Sequence, residues 1–522
     1  MVVSFTFLQL RSLSDSRLWH TPVAVRSSVI HDVEGGWSHM LAVFLRRLLL
    51  GDSGLATAGA VVDLPAGPQL VFGRLASLLT DGDGFRQTFD WRGATSLRPC
   101  FRHGNVVKKD SDLAWRRDGF CEITCSDPSQ FQASSSDDVW FSADLLVAAA
   151  GRVAAGTMPR VRFDELQKGC GMNANAKGLL AATDLRPHVK PVEVLTYDWM
   201  HNNLQEGVLT VEVQLLLAAC EPLGLTRAQI RGDLCDVDWH FPSQVKAKAT
   251  QLHRVFDPYR DATDATRVKC SASELLGLYQ LLRWIVAVRV PRVDDIRPQL
   301  ASFDAACMII DVIQQLKSGT VAVDDGARLL QRTLSQHMQL HIAAYGSGGI
   351  RPKHHWNFDI PGQVVRDGAV LDCFIIERTH LAVKAVADLC KNTSRFERSV
   401  LAGLLNATLS SATSSGWLHS LLGSPVLLSD GVYHSSAMRV FGLHLQVGDL
   451  VIHGGVCGDI QSCILVDGVL FVVVETLEQH GEHARHWGHW RRTGLLALWV
   501  ASNVVQPVAW KVLAGDLVLV LL

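Results

Sequence analysis

The sequence predicts an α/β protein with a helical block at its centre and a β-rich end. Three observations carry that expectation. Residues 18–80 alternate strand-like and helix-like text. Residues 204–345 contain several successive segments with apolar residues at three-and-four spacing, which implies an all-α subdomain. Beyond 425, short runs rich in β-branched residues are divided by Gly, Asp and His.

Taken in order, TPVAVRSSVI (21–30) reads as a strand and HMLAVFLRRLLL (39–50) as a helix with an apolar face. QLVFGRLASLL (69–79) reads as a strand running into a turn, or as a helix. Residues 105–175 are polar and read as a variable connector, with a Ser/Asp helix-start signal before DLLVAAAGRV. In the helical block, Thr226 with Gln229 and Ser271 with Glu274 have capping-box spacing. After 350 a turn-rich stretch leads into helices over 377–391 and 394–408. The tail reads as a small barrel or sandwich.

The bulk numbers bound the function. At 522 residues, with 48% hydrophobic and 19% charged side chains, most of the chain should fold, in two or three domains. A net charge of −2 counts mildly against a nucleic-acid enzyme, although local patches matter more than the sum. The 12 cysteines are too thinly spread for a secreted disulfide scaffold, which points to a reducing compartment. The N-terminus does not read as a signal peptide. The longest apolar run, 494–505, is too short for a bilayer, so the expectation is a soluble chain with no membrane partner.

Four constellations could carry chemistry. Asp81 and Asp83 sit among glycines just after the apolar run that ends at Leu79. That is where α/β folds hold metal or phosphate, though Asp-Gly pairs also make ordinary turns. Cys100 and His103 form a Cys-x-x-His pair with the reach to hold zinc, and Cys121 and Cys125 lie downstream as candidate completing ligands. Asp198 and His201 are three residues apart and share a face if helical. Finally, Arg351, Lys353, His354 and His355 precede Glu377, Arg378, His380 and Lys384. Glu377, His380 and Lys384 lie on one face of a helix, where a carboxylate beside bases suits metal next to phosphate. An unrelated zinc hydrolase built from Asp198, His201, His354 and His355 is a weaker reading, because no His-Glu-x-x-His pattern is present.

In this order the motifs resemble those of CACTA (En/Spm-like) DDE transposases. That class has an acid at a strand end before a Pro-Cys-x-x-Cys element, matched by Asp81 or Asp83 and Pro99-Cys100-Phe101-Arg102-His103. It has an Asp-x-Met-His element, matched by Asp198-Trp199-Met200-His201. A helical insertion follows, then Pro-Lys-x-His, matched at Pro352–His355. Last comes Glu-x-x-His-x-x-x-Lys, matched by Glu377, His380 and Lys384, with Asn392 nearby.

The resemblance covers roughly 20–410 and implies a ribonuclease-H-like core over 18–203 and 350–412. An all-α insertion at 204–349 would interrupt it, and a small all-β domain would follow at 425–522. It implies cleavage and strand transfer at DNA transposon ends with Mg2+ or Mn2+ held by Asp81, Asp83 and Glu377. Asp198, His201, His380 and Lys384 would support the site. Arg351, Lys353, His354, His355 and Arg378 would contact phosphates. It further implies a nuclear location, a homo-oligomer and a zinc at Cys100 and His103. No residue matches the class's acid on an earlier strand, Asp15 and Asp32 being poor fits. The alternative is therefore an inactive, cytoplasmic descendant that binds DNA or protein through Arg351–His355 and through RHWGHWRR at 485–492.

Overall fold

The computed structural model describes residues 2–521 apart from 9–12, 14–18, 65–66, 110–118, 236–237, 243–250, 258–266, 291–292, 392–393, 412–420, 441–442, 485–486 and 505. Asp15, Asn392, Arg485 and His486 lie outside the described residues. The fold is mixed α/β with a C-terminal antiparallel sheet.

Strand β1 (Val2–Phe5) pairs antiparallel with β2 (His20–Ala24). The strand expected over 21–30 stops at Ala24, because its partner's ladder runs out at Val2, and Ser27–His31 coils into α1. Helix α2 (Gly36–Leu50) buries Leu41, Leu45 and Leu49 at helical spacing. A hairpin of β3 (Ala60–Leu64) and β4 (Gly67–Val71) leads to β5 (Leu78–Thr80) and α3 (Gly82–Thr88).

The described part of the polar stretch that follows holds β6 (Val106–Val107), β7 (Cys121–Glu122), α4 (Ser136–Ala154) and α5 (Arg160–Cys170), and α6 (Pro191–Val194) comes after it. Ser135 and Asp138 cap α4 reciprocally. Val139, Ala143 and Leu146 of α4 join a buried cluster with Phe85, Phe89, Trp91, Tyr197 and Trp356. This stretch is thus part of a core, because its apolar residues recur every three or four positions beneath a polar surface.

Strand β8 (Leu195–Tyr197) then pairs in parallel with β5, Leu78 opposite Leu195 and Thr80 opposite Tyr197. Helix α7 (Trp199–Asn203) follows it directly. The helical block consists of α8 (Val208–Cys220), α9 (Arg227–Leu234), α10 (Ala272–Arg289), α11 (Arg297–Ser318) and α12 (Val323–Tyr345), with a short strand β9 (Trp239–His240) after α9. Both expected capping boxes form, at Thr226 and at Ser271. Leu209, Val213, Leu278, Leu282, Ile309, Ile313 and Leu334 build its core. Arg283 is buried there with partners, its guanidinium 2.8 Å from both Asp304 and Asp311.

Helices α13 (Pro352–Trp356), α14 (Ile360–Asp367), α15 (Phe374–Leu389) and α16 (Phe396–Ser411) come next. The tail contains β10 (Val426–Ser429), β11 (Val432–Ser435), β12 (Ala437–Val440), β13 (Leu443–Gln446), β14 (Leu450–His453), β15 (Val456–Val466), β16 (Val469–Ala484), β17 (Trp487–Val500), β18 (Gln506–Val508), β19 (Trp510–Ala514) and β20 (Leu517–Leu521). The main sheet runs β10-β11-β15-β16-β17-β20-β19-β9. The tail is not self-contained. It pairs Trp510 with His240 of β9, and Ala509, Leu519 and Leu521 pack into the core of the helical block. Among the described residues no single helix is long and apolar enough to cross a membrane.

Candidate functional site

The site starts from two strand ends. Asp81 follows β5 and Asp198 follows β8, and each caps the helix after it. Asp81 accepts the Gly84 N–H at 2.7 Å. Asp198 accepts the N–H groups of Met200 at 3.2 Å and His201 at 3.1 Å. Carboxylates favour helix N-termini because the first N–H groups have no partner within the helix. Since β5 and β8 pair in register, the same device recurs side by side on neighbouring strands.

Around this pair stand groups from three other elements. Asp198 also accepts the Cys373 N–H at 3.1 Å, at the start of α15, and hydrogen-bonds the Nδ1 of His201. The other nitrogen of His201, Nε2, is 3.8 Å from Glu377 Oε1. The imidazole therefore bridges two carboxylates. Burial works against its positive charge, but Asp198 and then Asp81 outweigh it, and its pKa is raised. Lys353 on α13 donates to the carbonyls of Gln205 at 2.9 Å and Glu206 at 3.0 Å. Burial lowers its pKa to about 8, against the pull of Glu206, Asp198 and Asp81. On α15, burial lowers the pKa of His380, while Asp81 acts in the opposite sense. The field of Asp81 thus reaches His201, Lys353, Cys373 and His380.

Several expected residues take other places. Asp83 turns outward on α3, binding Arg86 at 2.7 Å and Gln87 at 2.6 Å. Asp32 is the C-cap of α1. His354 and His355 are buried, so they make no surface for phosphates. Arg351 begins α13, its N–H donating to His354 Nδ1. Arg378 and Lys384 are exposed on α15. In the 485–492 stretch, Arg492 binds Asp459 and Glu475, and Arg491 lies 3.5 Å from Asp516, so these arginines are engaged in ion pairs within the sheet.

Two clusters go beyond the sequence expectations. Glu212 on α8 is wholly buried and accepts from His337 Nε2 at 2.8 Å, from Ser302 Oγ at 3.0 Å and from His341 Nδ1. Burial opposes its charge, yet the two histidines hold its pKa far below the usual carboxylate range. The signal was present: a lone Glu inside the apolar run VLTVEVQLLL needs a buried partner. Cys100 and His103 meet His355 rather than Cys121 and Cys125. No family model matches the chain, and no curated protein is significantly similar to it.

Proposed function

We propose that the chain is a transposase-like protein with a ribonuclease-H-like core, whose Asp81, Asp198 and Glu377 hold Mg2+ or Mn2+ for phosphodiester cleavage and strand transfer on DNA. The observation that carries the reading is the register of β5 and β8, which sets Asp81 beside Asp198. In this reading Asp198 is the second metal-binding acid and Asp81 the first, so no earlier strand is required. Asp83, occupied by Arg86 and Gln87, drops out.

At this site the residues whose ligand atoms lie within 4.8 Å of one another are Asp198, His201 and Cys373, so Asp81 and Glu377 would have to close on an ion placed there. His201 already brings a hydrogen-bonding imidazole between Asp198 and Glu377, at a position where positive charge is favoured. When bound, the divalent ions would polarise the scissile phosphate and generate the attacking hydroxide. The chain's own groups fix Asp81 and Asp198 through helix caps and bring Glu377 in from α15. Lys353 adds positive charge close to both aspartates, while Arg378 and Lys384 offer phosphate contacts on the exposed side.

One observation favours the second reading, a non-cleaving descendant that binds DNA or protein. Three backbone N–H groups and His201 take all of the roughly four lone-pair sites of Asp198, so His201 must release it before a metal can bind. A nicking assay on plasmid DNA with Mn2+ separates the two. Cleavage by the wild type that is lost in Asp81→Asn, Asp198→Asn and Glu377→Ala supports the enzyme. Equal nicking by all four proteins, or none by any, removes it.

A further inference from the structure

We infer that Glu212, His337 and His341 form a structural zinc site inside the helical block, clamping α8 to α12. The site shares no residue with the acidic pair or with the turn at 99–103, and it stands apart from the nuclease reading.

The ligand set comes first. His337 and His341 are one helical turn apart on α12, so both rings leave the same face. Two histidines at that spacing chelate a single zinc, and a Glu from another element completes a His2Glu set, which holds zinc through three side chains. Here the Glu comes from α8, and the ligand atoms of Glu212, His337 and His341 all lie within 4.8 Å of one another. The set is invisible as a motif because Glu212 stands 125 positions before His337.

Burial narrows what the cluster can be. Glu212 and His341 are 0% exposed, so the carboxylate has no water to meet and needs a cation. Three groups, His337 Nε2, His341 Nδ1 and Ser302 Oγ, converge on Oε1. The other oxygen, Oε2, is equally buried and has no hydrogen-bond partner among the described residues. An ion seated between the carboxylate and the two rings makes ligands of both oxygens and takes a lone pair from each neutral imidazole. In a tetrahedral site an oxygen and a nitrogen ligand stand about 3.3 Å apart. The His337 contact is 2.8 Å, so it opens by about half an ångström, and the shorter His341 contact opens by more. Turning the carboxylate about its Cγ–Cδ bond carries Oε1 away from the apex and brings Oε2 toward the rings.

The neighbours hold the ligands in place. Ser302 on α11 donates to Glu212 at 3.0 Å, an outer-shell bond that orients a ligating carboxylate. His354 on α13 packs against both ligand rings, its centroid 5.2 Å from His341 and 6.0 Å from His337. Its Nδ1 accepts the Arg351 N–H, which places its proton on Nε2. Burial and the two adjacent imidazoles keep it uncharged. It therefore covers the site as a neutral ring and sets no like charge beside the ion.

Metal analysis of the full-length protein, purified without chelators, tests the site. Wild type and Cys100→Ser should both hold zinc in stoichiometric amount. Cobalt loaded into Cys100→Ser should give visible bands with no thiolate-to-cobalt band, because the ligand set contains no sulfur. Glu212→Gln in the same background should lose the metal. Ser302→Ala, a smaller change, should weaken binding about 10- to 100-fold. Asp198→Asn and Glu377→Ala should leave it in place. A wild-type protein that carries no zinc overturns the site, whatever the folding of any variant. Zinc that is lost with Cys100→Ser and kept in Glu212→Gln overturns it as well, and the cluster is then a hydrogen-bond network alone. Zinc kept in Cys100→Ser and lost in Glu212→Gln, in a protein that does not nick DNA, supports this site and sinks only the nuclease reading.

Discussion

Thr80 and Tyr197 are directly opposed in a parallel pair, so the next residues, Asp81 and Asp198, leave the two strands side by side. Neighbouring strands lie about 4.8 Å apart, so two helix-capping acids separated by more than a hundred positions start their helices next to each other.

Asp198→Asn and Asp83→Asn should therefore behave oppositely. We expect Asp198→Asn to lower Mn2+-dependent nicking by roughly a hundredfold or more, the scale seen when a single charge-stabilising group is removed. Asp83→Asn should leave nicking unchanged and cost at most about 1 kcal/mol, because it weakens only exposed contacts with Arg86 and Gln87. Thermal midpoints measured beside the rates separate lost chemistry from lost fold. Equal effects of the two substitutions on rate would contradict the assignment.

Glu212→Gln should destabilise the protein by about 3 kcal/mol at pH 7, since it removes the charged partner of His337 and His341 in a sealed interior. The folded pKa of Glu212 is depressed, so its contribution is present above the unfolded value of 4.5 and is lost as pH falls below it. Urea unfolding at pH 7 and pH 4 checks this: the gap between wild type and variant should narrow in acid. An unchanged gap would mean that the charge is not its source.

Asp90 should act in the reverse direction. Burial raises its pKa from 3.8 to about 6, against hydrogen bonds from Asn175 and Ser38. A carboxyl easier to protonate in the folded state costs stability as pH climbs from about 4 to about 6. Asp90→Asn keeps the acceptor for Asn175 and tolerates the positive φ of 53° at this position. It should raise the unfolding midpoint at pH 8 and leave it unchanged near pH 4. A lower midpoint at pH 8 would show that the carboxylate is needed.

Arg492→Met should leave Asp459 buried without its cation, lowering stability by about 3 kcal/mol. DNA affinity and its salt dependence should not move, because this arginine serves the sheet. A weaker, less salt-sensitive DNA complex in a protein of unchanged stability would return Arg492 to a DNA surface.

What could be read from the sequence was local. The capping boxes at Thr226 and Ser271 depend on three-residue spacing, and both form as read. The helix over 377–391 was visible in its periodicity and spans Phe374–Leu389. Glu377 lies in the first turn of that helix. Residues defined by long-range packing were misread. His354 and His355 look like a surface base pair next to Lys353, yet the helical block covers one and the 99–103 turn meets the other. That Asp198 stands beside Asp81 was not legible, because nothing local records that β8 lies against β5. Cys121 and Cys125 were chosen for sequence nearness, whereas the third member of the Cys100 group comes from α13.

The docking of β9 against β19 bears on how this chain can be trimmed. Trp239 rests edge-on against Trp284 of α10, and His240 stacks on Trp510 from the tail. A protease or premature stop that removed the last hundred or so residues would bare an unpaired strand edge and a greasy flank of the helical block together. Such a fragment should clump rather than stay in solution.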